Sequence, residues 1–173
     1  MPIERSNRAV AAATLETVAR ELLESSTLCA IATVTQDGLA HVNTAYFAWA
    51  APDFDLVWLS DPAAGHSQNL AQNPTVAVAV YDSGQTWGGP DRGIQLFGTA
   101  QEATSQDLPH AQELYRRCFP AYNPTGGGYR CYRFRPHRMK LFDEKTLGAG
   151  VFVTAAVLNR RQLRFEGTEI SRP

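Results

Sequence analysis

The chain has 173 residues, 44% of them hydrophobic and 19% charged, with a formal net charge of −1; this is the profile of a globular domain long enough to bury one good core. No uninterrupted apolar run reaches the ~18 residues of a membrane-spanning helix, and the overall charge and the lack of an aromatic platform motif argue against nucleic-acid binding. Cys29, Cys118 and Cys131 are widely spaced and form no CxxC pair, so they read as structural thiols in a reducing compartment.

Near the N-terminus, Leu15, Val18, Ala19, Leu22 and Leu23 recur at helical spacing, which predicts an amphipathic helix over about residues 10–25. The preceding Val10-Ala-Ala-Ala-Thr-Leu stretch is flanked by Glu4 and Glu16 and has no cleavage site after it. It is therefore read as helix and not as a leader, and the protein as cytoplasmic. Strands then follow one another. An apolar run over 28–34 meets Gln36-Asp37-Gly38, a hairpin signal because Asp-Gly supplies the positive φ of a tight turn. A long strand covers 39–49, and a short one over 56–60 ends at Ser60. Past a loop, a helical turn opens at His66 or Ser67, Asn73-Pro74 stops it, and an alternating valine strand fills 75–81. Residues 82–91 form a Gly-rich loop around Trp87, whose large ring suggests a cover for a ligand or a subunit seam. A strand over 92–102 follows, with a bend expected at Gly98, and then a helix over about 106–119. Strands at 129–135 and 137–143 are separated by Pro136, a further strand lies at 151–157, and a polar tail covers about 158–173. With no regular βαβ alternation, this order predicts one mainly β (α+β) domain spanning 1–173. Its expected form is an antiparallel barrel of six or seven strands with flanking helices.

The segment from Trp58 to Tyr81 carries the chemistry. A strand ending at Ser60 and leading into a helix at His66 presents unpaired backbone N–H groups and the positive end of a dipole, a seat for an anion such as phosphate. Ser60, His66 and Ser67 add side-chain donors at the same point, although each also suits an ordinary strand end or helix cap. Charge is unevenly spread: residues 1–128 hold 6 Lys+Arg against 13 Asp+Glu, whereas residues 129–173 hold 10 against 4. Some of the C-terminal arginines are thus candidates for an anionic ligand, or for complementing the acidic remainder across a dimer.

His66-Ser67-x-Asn69 followed by Asn73-Pro74, and Arg92-Gly-Ile-Gln-Leu-x-Gly98-Thr-Ala100, come in the order and spacing of a known family. Over about residues 10–145 the chain resembles the FMN-binding split-barrel proteins related to pyridoxamine 5'-phosphate oxidase. The resemblance implies a split-barrel homodimer holding FMN in clefts between subunits. Asn43, Thr44, Ala45 and Tyr46 would then face the flavin ring and ribityl chain, with Leu59 and Ser60 lining the adjoining strand end. His66 and Ser67 would meet the phosphate, and Gly93 or Gln95 would approach from the following strand. Relatives that oxidise pyridoxamine phosphate carry cations on the long strand and at the helix start, where this chain has Asn43, Gly65, His66 and Gln68. Helix-terminal N–H groups and a protonated His66 would offset part of that loss. Arg92, or Arg130, Arg133 or Arg135 from a second subunit, would supply the missing charge. Arg135-Pro-His137 has the spacing of those enzymes' substrate motif but falls at the entrance to a strand, so that particular oxidation is not expected.

No Ser-His-Asp set, carboxylate pair or phosphate-binding glycine loop can be assembled, and His41, His110 and His137 read as surface residues. The expectation is a cytoplasmic homodimeric FMN flavoprotein acting as an oxidoreductase on a small-molecule substrate or electron donor, without nucleic-acid or membrane partners. The alternative is a flavin-binding carrier, sensor or scaffold without turnover. A deazaflavin, with a longer anionic tail, would want more cations near the loop.

Overall fold

The computed structural model describes residues 3–123 and 128–171. In chain order the elements are β1 (Ile3–Ser6), α1 (Ala12–Glu24), β2 (Leu28–Val34), β3 (Ala40–Ala48), β4 (Leu56–Ser60), α2 (Gly65–Gln72), β5 (Thr75–Val80), β6 (Arg92–Glu102), α3 (Leu108–Cys118), β7 (Arg130–Asp143), β8 (Val151–Leu158) and β9 (Gln162–Ser171). The sheet runs β1-β9-β8-β7-β4-β3-β2-β5-β6, and β7 also pairs with β6. That last pairing closes β7-β4-β3-β2-β5-β6 into a six-stranded antiparallel barrel, with β8, β9 and β1 as additional strands. Among the described residues no helix is long and apolar enough to cross a membrane.

Two compact units divide the chain. One draws on the described residues of Met1–Ser26, Ala79–Leu96 and His137–Pro173, the other on those of Thr27–Val78 and Phe97–Pro136. In the first, α1 buries the stripe Leu15, Val18, Ala19, Leu22 and Leu23 that its spacing predicts, and Glu16 Oε1 accepts the backbone N–H of Leu163 at 3.2 Å. The expected polar tail is instead β9, paired with β8 and β1. The reversal before it is a tight hairpin turn: Asn159 and Arg160 have φ of 49° and 67°, and the N–H of Arg161 reaches the carbonyl of Leu158 at 3.0 Å. Both central residues at positive φ give the turn whose twist matches the flanking strands. An extra residue in β9 opposite Thr154/Ala155 interrupts the alternation of Leu163 and Phe165, which hides the strand's period from a sequence reading.

In the second unit, Asp37-Gly38 forms the expected hairpin between β2 and β3, with Gly38 at φ +79° and its N–H bonded to the carbonyl of Thr35 at 2.9 Å. Trp58 is wholly buried and stacks on Tyr132 with ring centroids 6.4 Å apart and planes 10° from parallel. Strand β7 is continuous through Pro136, against the expected break. Its register with β4 ends at Phe134 and its register with β8 starts at Arg138, so the proline stands at the change of partner, where neither ladder uses its missing N–H. A Cβ on Gly98 would lie 2.1 Å from the carbonyl oxygen of Arg135, so this close approach of two backbones admits glycine alone. Helix α3 packs Ala111, Leu114 and Tyr115 onto Ala48, Val57 and Cys131.

Candidate functional site

Strand β3 keeps register with β2 from Leu28↔Tyr46 to Val34↔Ala40, but with β4 only at Phe47↔Trp58 and Ala48↔Val57. The two strands diverge beyond that point, and the β4-side edge of β3 is left with unpaired peptide groups. β4 meanwhile continues through Leu59 and Ser60, held by β7 at Cys131 and Arg130. A cavity of about 490 Å³ fills the split, lined by Asn43, Thr44, Ala45, Tyr46, Leu59, Ser60, Asp61, Ala64, His66, Tyr115 and Tyr129. Open sheet edges are liabilities unless covered, and here the edge faces a ligand-sized hollow.

Helix α2 aims its start into this hollow. Its N-cap, Ala64, is extended and gives no side-chain cap, so the first-turn N–H groups remain for an incoming acceptor. The loop before it is fixed by Asp61, whose Oδ1 accepts from the N–H of Ala63 at 2.8 Å and whose carbonyl accepts from Ala64 at 3.0 Å. Ser67, buried, donates its hydroxyl to Ser60 Oγ at 2.8 Å, and Ser60 Oγ lies 2.5 Å from Nε2 of His66. Burial, and second the neighbouring His41, lower the pKa of His66 below its ordinary value of 6.5. The empty site thus disfavours the protonated form of His66 that the sequence reading invokes for the phosphate-bound state. Asn43 Oδ1 is buried without a hydrogen-bond partner among the described residues, while its amide nitrogen makes only a 3.4 Å contact to the carbonyl of Thr44.

Asn43, Thr44, Ala45, Tyr46, Leu59, Ser60 and His66 thus meet at one cavity, and Ser67 stands behind Ser60. Arg92 and Gln95 belong to β6 in the other unit. Gln95 is exposed. Arg92 holds the fully buried Asp143 through Nη2 at 2.7 Å and Nε at 2.9 Å, with Glu21 at 3.3 Å. The other candidate guanidinium groups are also engaged: Arg133 with Asp107 at 2.5 Å, Arg135 with Asp55 at 3.7 Å and Arg130 with Glu102 at 3.3 Å. Only the Arg130 pair is exposed at both ends, 60% and 48%, and so cheap to exchange. Trp87 is fully exposed on a turn with Gly88 at φ +83°.

Four lining residues escaped the sequence reading. Tyr115, on the buried face of α3, looked like packing; burial lifts its phenol to about 12, so it stays a neutral donor. Tyr129, 64% exposed, stands on the rim. Asp61 and Ala64 read as turn residues, yet Asp61 is the one carboxylate of the lining.

A family model described as pyridoxamine 5'-phosphate oxidase matches residues 15–143. Among solved structures, a heme binding protein from Mycobacterium smegmatis superposes with TM-score 0.61 at 13% identity, over 94% of this chain and 90% of that one. A Clostridium acetobutylicum protein related to general stress protein 26, of the pyridoxinephosphate oxidase family, gives 0.59 at 14% identity over 83% and 94%. General Stress Protein 26 from Bacillus anthracis gives 0.58 at 17% identity over 74% and 93%. At such identities the likeness is one of fold. No curated protein matches the sequence.

Proposed function

We propose that this chain, which belongs to the pyridoxamine 5'-phosphate oxidase family, is an FMN-binding flavoprotein that works as a homodimer and passes electrons to or from a small molecule. The observation that carries this reading is the cavity itself. An open strand edge, an uncapped helix start and a buried acceptor without a partner, Asn43 Oδ1, converge on one hollow. The three features suit the three parts of FMN. The uncapped helix start and the Ser60–His66 pair would hold the phosphoryl end. Asn43 Oδ1 would take a hydrogen bond from a ring N–H or a ribityl hydroxyl, and Leu59, Ala45 and Tyr46 would give the ring apolar contact. FMN, when bound, supplies hydride and single-electron chemistry. This chain's residues bind it, orient its ring along the strand edge and limit access of water, and hydride movement asks no acid or base of them.

The second subunit is supported by the outer face of the β2–β3 hairpin. By register, Leu28, Ala30, Ala32 and Val34 lie beside Tyr46, Thr44, Val42 and Ala40, a side without a charge. Val42 is 67% and Leu28 46% exposed, and a contiguous apolar patch of this kind marks an interface. Thr44 and Tyr46 belong both to this face and to the cavity lining, which puts the cofactor beside the seam.

One observation favours the alternative of a flavin carrier or sensor without turnover: the cavity lining holds a carboxylate, Asp61, and no Lys or Arg, so the phosphate seat is weakly charged. A haem reading has less support, since the Nε2 of His66 is taken up by Ser60. Equilibrium titration of the purified protein tests the proposal. Quenching of FMN fluorescence to one flavin per chain, in a particle of twice the chain's mass, is expected. Bleaching by a nicotinamide donor with reoxidation selects the oxidoreductase over the carrier. A haem absorption shift without flavin binding would overturn both.

A further inference from the structure

The helix-start motif His66-Ser67-x-Asn69 positions two imidazoles, not one. Ser67 donates to Ser60, which meets His66. Asn69 Nδ2 donates to the buried Thr33 Oγ1 at 3.0 Å, and Thr33 Oγ1 in turn lies 3.4 Å from Nδ1 of His41. His41 and His66 stack, with centroids 6.4 Å apart and planes 20° from parallel. Thr33 Oγ1, while accepting the amide hydrogen of Asn69, can give its own hydroxyl hydrogen to Nδ1 of His41, and in that arrangement the neutral ring carries its proton on Nε2. That Nε2 lies 3.5 Å from where a Cβ on Gly65 would stand. With glycine at the first position of α2, no side chain of that residue stands between His41 Nε2 and the helix start.

We infer that His41 is a second imidazole serving the cofactor's phosphoryl end, and that phosphate binding draws a proton onto His66 beside it. The inference rests on the reading of the cavity as an FMN site. The hydrogen bonds around His66 accommodate either charge state. When neutral, Nε2 accepts from the Ser60 hydroxyl. When protonated, Nε2–H donates to Ser60 Oγ, which turns its own hydrogen to the carbonyl of Asp61, 3.3 Å away. Around the two rings stand Ser67 and Asn69 from α2, Thr33 from β2 and Ser60 from β4, and His66 shares the cavity lining with Asn43 from β3, the Asp61 carboxylate from the loop, Tyr115 and Tyr129. The lone Asp61 carboxylate cannot keep His66 protonated against burial and the neighbouring His41, which lower its pKa. A phosphate near two negative charges can, and in doing so it restores the cationic partner that no Lys or Arg of the lining provides. Proton uptake thereby substitutes for a fixed cation, and cofactor affinity becomes a function of pH.

Calorimetric titration in buffers of different ionisation enthalpy tests this without any variant. At about pH 7.5, where the free phosphate is already mostly dianionic, FMN binding is expected to take up about half a proton or more, and riboflavin, which lacks the phosphate, none. His41→Phe, which keeps a ring beside His66 but removes the Nε2 donor, is expected to weaken FMN by about fivefold to tenfold and leave riboflavin affinity unchanged, and His66→Gln is expected to abolish the uptake. FMN bound with no proton uptake, or His41→Phe indistinguishable from the parent in FMN affinity, would overturn the inference while leaving the flavin site standing. Failure of both flavins to bind would overturn the site reading and the inference with it.

Discussion

Removing the guanidinium of Arg92 isolates what the β6–β7 junction contributes to stability. In Arg92→Met the apolar stem is kept, but Asp143, 0% exposed, loses charge-assisted hydrogen bonds of 2.7 and 2.9 Å to its Oδ2. Breaking a buried ion pair from one side costs about 3–5 kcal/mol, because the remaining charge is left without its counter-ion. Two features place this case at the lower end. Asp143 Oδ1 keeps the N–H groups of Lys145 and Thr146 at 3.0 and 3.3 Å, and Arg92 is itself 26% exposed. The half-exposed Glu21 contact adds little. The expected loss is about 3 kcal/mol, and since a chain of this size moves by about 2–4 °C per kcal/mol, Tm should fall by about 6–12 °C. Urea unfolding followed by circular dichroism measures it. A double-mutant cycle with Asp143→Asn should return a coupling above about 1 kcal/mol, as expected for direct contacts. A change in Arg92→Met within about 0.5 kcal/mol, the range of ordinary surface substitutions, would refute the assignment of Arg92 as the partner of Asp143.

Asp61→Asn keeps the oxygen that caps Ala63 and removes the one carboxylate of the cavity lining, so FMN should bind about fivefold tighter at low salt, with the gain shrinking as salt is added; fluorescence titration at two ionic strengths checks both. Val42→Glu puts a charge on the apolar β2–β3 face and should give monomers with greatly weakened FMN binding in analytical ultracentrifugation, while the fold by circular dichroism is retained. Stability without ligand should depend on pH through His66. Its folded pKa is lowered from 6.5, so the folded state binds the proton less readily than the unfolded chain. The contribution is full above about pH 6.5 and is lost as pH falls below it. Urea midpoints at stepped pH should show that slope, and His66→Gln should flatten it.

Much of this was readable from residue order. The Asp-Gly hairpin, the stripe of α1, and the Ser60 strand end running into a helix at His66 are local signals, each set by turn chemistry or periodicity, and the structure places all of them. The resemblance then located the β3 edge, which no local pattern marks. What stayed hidden depends on long-range packing. Tyr115 falls at helical spacing and looks like core, yet core-facing and cavity-facing rings differ only in what lies opposite. His41 seems a surface residue on a strand until α2 brings Gly65 and His66 beside it. Strand β9 escaped because a bulge breaks its alternation. Arg92 invited a ligand role because the sequence cannot reveal that Asp143, 51 residues away, already holds it.

The central claim is that the start of α2 seats the phosphoryl end of FMN beside the open edge of β3. A crystal structure of the protein grown with FMN tests it most directly. The phosphate is expected within hydrogen-bond distance of the first-turn N–H groups of α2 and of His66, with the ring along residues 43–46. Density for FMN elsewhere, or a cavity closed over by the protein's own side chains at saturating FMN, would contradict the account.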